Sequence, residues 1–345
     1  MKHLIPAALK AAALLVLAAL PAAAFDGPTQ TVTDATGRSV EIPADPARVF
    51  AAGPPAATLL YALKPQAMLG WVRAPKQADL PYLLPLTQAL PELGRLTGKG
   101  DTLNLEVLLA ARPDLIVDYG TVNATYRDLA ERVQDQAQLP YVLIDGSLDA
   151  MPASIRAMAG VLGVAERGEA LAAYAEDSFA KADALLATVP AAQRPKVYLA
   201  RGPEGLETAG RGSINAEIIE RMGAVNVAQS EGKGLLTVSA EQVQAWAPDV
   251  IITIDRDFAA SVGNMPEWQG IPAVAQGRVY LAPSRPFGFI DSPPSVNRLI
   301  GLKWLAQKLY PAQAKGDLAA EVAGFYALFY GVTLDDAAVS ALLGD

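Results

Sequence analysis

The sequence predicts an α/β protein of two lobes, each built on a mostly parallel sheet, joined by a single long helix. Three observations predict it. Residues 165–189, AERGEALAAYAEDSFAKADALLATV, read as one uninterrupted helix. Leu171, Tyr174, Ala175, Ser178, Phe179, Ala182, Leu185 and Leu186 recur there at three- and four-residue spacing, and the strong helix formers Ala, Leu, Glu and Lys dominate. Pro190 ends it, because proline disfavours helix in the residue before it. At ~1.5 Å per residue this rod spans roughly 35 Å, about the height of a small domain. Second, one phrase occurs on both sides of the rod. Upstream it is Glu106-Val-Leu-Leu-Ala-Ala-Arg-Pro113-Asp114-Leu-Ile-Val, downstream Glu241-Gln-Val-Gln-Ala-Trp-Ala-Pro248-Asp249-Val-Ile-Ile. Each reads as a short helix opened by Glu, a Pro-Asp turn and a buried apolar strand, which implies two lobes of one design. Third, strands alternate with helices before and after the rod, the pattern of parallel sheets. Together these give two Rossmann-like lobes on either side of one rod.

The elements follow in order. Residues 1–24 carry a basic start (Lys2, His3, Lys10), an apolar run from Ala11 to Leu20 too short to span a bilayer, and the small residues Pro21-Ala22-Ala23-Ala24. This is a secretory leader with cleavage expected after Ala24. Residues 25–152 form the N-terminal α/β lobe, 153–190 a helical linker region containing the long helix, and 191–345 the C-terminal lobe with its closing helices. In the first lobe, Thr31–Ile42 alternates around Asp34–Gly37, a hairpin signal. Strands are expected at Arg48–Ala52, Gly70–Val72, Leu115–Asp118 and Tyr141–Ile144. Helices are expected at Ala56–Leu63, after Glu106, and at Tyr126–Gln136, with a proline-rich surface segment from Arg73 to Pro91. After the rod, strands are expected at Lys196–Ala200, Val250–Ile254 and Arg278–Leu281. Ile214–Met222 is a helix with Ser213 or Asn215 near its cap, and Ser295–Tyr310 and Leu318–Phe329 close the chain.

Composition narrows the chemistry. The chain has 345 residues, 52% hydrophobic and 19% charged, enough for two domains with large cores. Without the leader it keeps 26 basic against 36 acidic side chains, a net charge of −10, and no basic stripe. That makes it a poor nucleic-acid ligand. It has no cysteine, and its one histidine lies in the leader. Ser-His-Asp and Cys-His nucleophiles cannot be assembled, and zinc or copper sites lack their usual ligands. A carboxylate-only hydrolase needs neither residue, but no clustered carboxylate pair stands out. The mature protein is expected to be a soluble, exported, monomeric periplasmic protein with no catalytic residues, metal site or intrinsic cofactor.

The opening TDATGRSVEIP, the RVF strand after it, the twin E-x6-P-D-[LV]-I phrases and the single inter-lobe helix resemble the periplasmic substrate-binding proteins of ABC importers for ferric siderophores, haem and cobalamin. The resemblance covers about residues 29–330. It implies a stiff hinge, small opening motions and a ligand held between the lobes. In that family a glutamate on each lobe reaches arginines of the inner-membrane permease dimer, which gives Glu106 and Glu241 a docking role. The alternative is that each simply sits well near a helix start, worth ~0.3–1 kcal/mol.

In open α/β sheets the crevice beyond the carboxyl ends of the strands binds ligand. That selects Pro54, Trp71, Arg73 and Tyr119 in the first lobe. In the second it selects Arg201, Arg211, Ser213, Arg256, Arg285, Phe287 and Phe289. Arginines supply fixed charge and forked donors, and the aromatic residues supply flat apolar faces. A metal chelate, above all a ferric siderophore, presents features that match both. The alternatives are arginines paired with surface carboxylates and phenylalanines in the core. Haem-binding relatives use a tyrosine shortly before the first-lobe glutamate, and Gly94–Asn104 contains neither tyrosine nor histidine, although Tyr119 could substitute. Cobalamin stays open. So does an oxyanion such as molybdate, with Gly212-Ser213 before a helix as its seat or as a plain cap. The competing class is a carboxylate-dependent periplasmic enzyme on a similar scaffold.

Overall fold

The computed structural model describes residues 27–97, 105–229 and 234–344. The expected leader, the Gly98–Gly100 loop, and Gly232 and Lys233 lie outside them. Strands β1 (Thr29–Thr33) and β2 (Ser39–Pro43) make the expected antiparallel hairpin, with Thr29 opposite Pro43. The first lobe then runs β3 (Val49–Ala51), α1 (Pro54–Leu63), a single turn α2 (Pro85–Gln88), α3 (Leu105–Ala111), β4 (Leu115–Gly120), α4 (Ala124–Ala137), β5 (Tyr141–Asp145) and α5 (Met151–Val161). Its sheet has the order β3-β4-β5 and is parallel throughout, with Val49 opposite Leu115 and Ile116 opposite Tyr141. Leu115, Ile116 and Val117 are fully buried, as a parallel strand covered on both faces must be.

The rod is α6 (Ala165–Ala187). After it come β6 (Lys196–Ala200), β7 (Glu207–Ala209), α7 (Glu217–Arg221), β8 (Val225–Asn226), β9 (Leu235–Thr237), α8 (Ala240–Trp246), β10 (Val250–Thr253), α9 (Arg256–Ser261), the single turn α10 (Pro272–Ala275) and β11 (Val279–Leu281). The second sheet is also parallel, in the order β11-β10-β6-β8, while β7 and β9 pair antiparallel beside it. The chain closes with α11 (Arg298–Leu309), α12 (Leu318–Phe325), a π-helical turn over Tyr326–Tyr330, and α13 (Asp336–Leu343).

One end of α6 touches the first lobe, where Arg167 Nε donates to the Ala62 carbonyl at 3.1 Å. Near the other end, Asp183 takes a bidentate pair from Arg221 of α7 at 2.6 and 2.9 Å. Gly168 lets α6 lie close against α5, because a Cβ there would collide with Ala159. The turn after α12 also reaches the first lobe. Tyr61 of α1 donates to the Tyr330 carbonyl at 2.7 Å, and its ring lies 5.9 Å from that of Tyr330.

The twin phrases fold identically, and the cause is local. Arg112 and Ala247 both adopt the left-handed backbone, each with φ 47°, which ends the helix and turns the chain. The following proline cannot continue a helix. Asp114 Oδ2 then accepts the Ala47 and Arg48 amides at 2.9 and 3.0 Å, and Asp249 Oδ2 accepts the Lys196 amide at 2.8 Å. In each lobe the aspartate sets the new strand beside its neighbour.

Three local expectations need correction. Gly70–Val72 is not a strand: Trp71 makes one bridge, through Pro91 and Leu93 at 2.8 Å each, and the surrounding prolines supply no further ladder donors. The segment from Arg73 to Pro91 is not merely surface, since Tyr82, Leu83 and Thr87 are buried. The helix expected from Ile214 begins only at Glu217 and is preceded by Ala216. Ser213 and Asn215 do not cap it, because their side chains are engaged in a turn, with the Asn215 amide donating to Ser213 Oγ at 3.3 Å.

Candidate functional site

The strands of each sheet run parallel, so their carboxyl ends all open on one side. Loops from those ends meet across the lobes. Ser295, just before α11, donates its hydroxyl to the Pro55 carbonyl at the start of α1, at 2.9 Å. The carboxyl-end loops in question are Gly53–Pro55, Gly120 and Gly146 in the first lobe and Arg201, Asp255 and Pro283 in the second.

The candidates fall into three groups. Trp71, Tyr119, Ser213 and Phe289 are buried, at 3%, 1%, 1% and 0% exposure. The Trp71 indole N–H donates to the Thr87 carbonyl at 2.7 Å, and its ring sits 5.6 Å from Tyr61 and 5.9 Å from Phe287. Phe287 is half-buried and also packs 5.6 Å from Tyr330. Trp71 and Phe287 do meet, as members of a core cluster rather than as an open platform. The buried Tyr119 hydroxyl lies beside the Arg298 guanidinium. Burial pushes its ionisation up to about 12, a rise the nearby Arg298 charge reduces. Pro54, first residue of α1, is half-buried.

Arg201 forms the second group. Its Nε donates to Glu207 at 3.0 Å, and its terminal nitrogen pairs with Asp291. Asp291 is 1% exposed and also accepts Asn215 Nδ2 at 2.8 Å and the Ser292 amide at 2.7 Å. Arg201 thus pins the loop before α11 to the end of β6, and its charge is matched by carboxylates.

Arg73, Arg211, Arg256 and Arg285 form the third group. Arg73, Arg211 and Arg256 are exposed and Arg285 is half-buried. None forms an ion pair with a described residue. Arg256 does not lie in a loop but opens α9, whose cap is Asp255, accepting amides at 3.0 and 3.1 Å. The proposed anion seat at Gly212-Ser213 is already occupied by the protein: the Gly212 amide donates to Glu220, at 3.1 and 3.2 Å to its two oxygens, and the Ser213 amide to the Gly210 carbonyl at 3.1 Å.

Glu106 and Glu241 are both exposed, and each is the second residue of its helix, α3 and α8. Hydrogen bonds from the Ser239 hydroxyl and its own amide hold the Glu241 carboxyl below its usual range.

Sequence reasoning missed two features. Asp118 lies 4% exposed in β4 and accepts the Tyr141 hydroxyl at 2.9 Å and the Tyr119 amide at 2.9 Å. Burial raises its ionisation to about 6, against the lowering effect of those donors and Thr97. The other is Arg298, fully buried at the start of α11. Among the described residues no group of three or more His, Cys, Asp or Glu side chains could hold a metal ion, and no helix is long and apolar enough to cross a membrane. A groove of about 680 Å³ between α6, α11 and the 312–318 loop contains none of the candidates.

The family model described as periplasmic binding protein matches residues 78–286. The molybdate-binding protein MolA of Haemophilus influenzae is 30% identical over 270 residues, 70% of this chain and 74% of that protein. Among solved structures, an ABC transporter solute-binding protein from Sulfurospirillum deleyianum superposes with a TM-score of 0.82 at 28% identity, covering 91% of this chain and 99% of that one. MolA bound to molybdate superposes with a TM-score of 0.74 at 24% identity, over 89% and 99%.

Proposed function

This chain belongs to the periplasmic binding protein family, and on that premise we propose that it captures a small oxyanion of the molybdate class between its lobes and delivers it to an inner-membrane ABC permease. The ligand is cargo, not a resident cofactor. The observation that carries the choice of cargo is the way the candidates divide. The flat faces needed to stack a ferric siderophore are largely spent on the core, at Trp71, Tyr119 and Phe289. Arg73, Arg211, Arg256 and Arg285 keep their charge free of ion pairs among the described residues. Forked cationic donors without a stacking platform suit a compact anion. The relative that is 30% identical is itself a molybdate-binding protein. Glu106 and Glu241 are the permease-docking pair in this reading, supported by their matched exposure and their matched place as the second residue of α3 and of α8. The relatives are binding proteins of transporters rather than enzymes, and the site acts in the periplasm after removal of the leader.

Isothermal titration of the mature protein with molybdate, tungstate, sulfate, a ferric tris-catecholate, haemin and cyanocobalamin tests the proposal. Saturable molybdate binding is expected, weakened by Arg211→Ala combined with Arg256→Ala. Each charged hydrogen bond lost is worth ~1.5–3 kcal/mol, about ten- to a hundredfold. Saturable binding of the ferric chelate with no response to molybdate or tungstate overturns the choice of cargo.

A further inference from the structure

Besides the rod, the lobes are tied by a buried polar node. Arg298 is 0% exposed. Its guanidinium donates to the Gly146 carbonyl of the first lobe at 2.8 Å. It also donates to the Ile214 and Ser295 carbonyls of the second, at 3.0 and 3.3 Å. It pairs with Glu217 at 3.3 Å, and the same Glu217 oxygen accepts the Leu148 amide of the first lobe at 2.7 Å. Gly146 is itself tied to the first sheet: its amide donates to the Gly120 carbonyl at 2.7 Å, and the approach is so close that a Cβ on it would lie 2.6 Å from the Gly120 Cα. The node therefore joins the turn after β5 to the starts of α7 and α11.

A desolvated guanidinium is tolerated only when its donors are satisfied. Here the acceptors come from both lobes. Rotating one lobe against the other separates Gly146 and Leu148 from Ile214 and Glu217, and breaks two charge-assisted hydrogen bonds, Arg298 to Gly146 and Leu148 to Glu217. We propose that Arg298 and Glu217 are positioning residues for capture, which hold the inter-lobe angle near the ligand-bound geometry so that binding needs little closure. The proposal rests on the reading of this chain as a binding protein with its site between the lobes. Its central measurement needs no ligand, so the two can fail separately.

The chain has no cysteine, so Asp128→Cys on α4 and Ala260→Cys on α9, both exposed, give a unique pair of thiols for spin labels. Double electron–electron resonance on the mature, ligand-free protein reads the spread of inter-lobe distances. A single narrow distribution is expected in the parent. Arg298→Lys, which removes the fork, should at least double its width, and so should Glu217→Ala. Both should weaken molybdate about tenfold through faster release, with cooperative thermal unfolding retained. Should Arg298→Lys fail to fold, Glu217→Ala at the helix start carries the test alone. A folded variant whose distribution stays as narrow as the parent's overturns the proposal, whatever happens to affinity.

Discussion

Asp118 should make this protein less stable at neutral pH than at mildly acid pH. Its folded ionisation lies near 6 against an ordinary value of 3.8, with burial as the dominant cause. The folded state therefore holds the proton more tightly than the unfolded chain. Below about pH 4 both states are protonated and the group has no effect. As pH rises from about 4 to 6 the unfolded chain ionises first and stability falls. Above 6 both are ionised and the loss is constant. At ~1.36 kcal/mol per unit the full loss is roughly 3 kcal/mol, an upper figure for a single buried carboxyl. Asp118→Asn keeps Oδ1 to accept the Tyr119 amide and turns an NH2 donor toward the Tyr141 oxygen, which can accept it, but cannot ionise. Urea unfolding of parent and variant from pH 4 to 8 isolates the contribution as the difference between the two curves. The variant should match the parent near pH 4 and exceed it by up to about 3 kcal/mol at pH 7. Parallel curves over this range, or a variant weaker than the parent at pH 7, would refute the reasoning.

Two further outcomes follow from the geometry. Glu106→Ala with Glu241→Ala should leave molybdate affinity unchanged and abolish uptake of labelled molybdate by cells; undiminished uptake removes the docking role. Arg201→Ala strands Asp291 in the interior and should cost about 3–5 kcal/mol in urea unfolding. Unchanged stability with lost anion affinity would instead return Arg201 to the ligand.

What could be read from the sequence was what short-range geometry decides. The rod, the tight turn of the hairpin around Asp34 and the helix ends of the twin phrases are each set by near neighbours in the chain. Even the left-handed joint at Arg112 and Ala247 comes from a helix stopped by the proline that follows. The site was less legible because its residues are defined by distant partners. Trp71 and Phe287 are far apart in the chain, and only with Tyr61 and Tyr330 do they become a core cluster. Arg201 looks like a free cation until Asp291 arrives from another loop. Arg298 reads as an ordinary helix-start arginine, since nothing local shows that Gly146 and Glu217 will enclose it. Asp118 sits in an apolar strand where its neighbours Tyr141 and Thr97 become visible only after the sheet forms.

The return of the C-terminal helices to α1 bears on how the molecule can be dissected. A fragment ending with the rod would lack Phe287 and Tyr330, leaving Tyr61 and Trp71 uncovered and the Tyr61 hydroxyl without its carbonyl. The first half is not a free-standing module. The tail works as a clasp that spans the joint, so truncation from the C-terminus should loosen the opposite end of the sequence first.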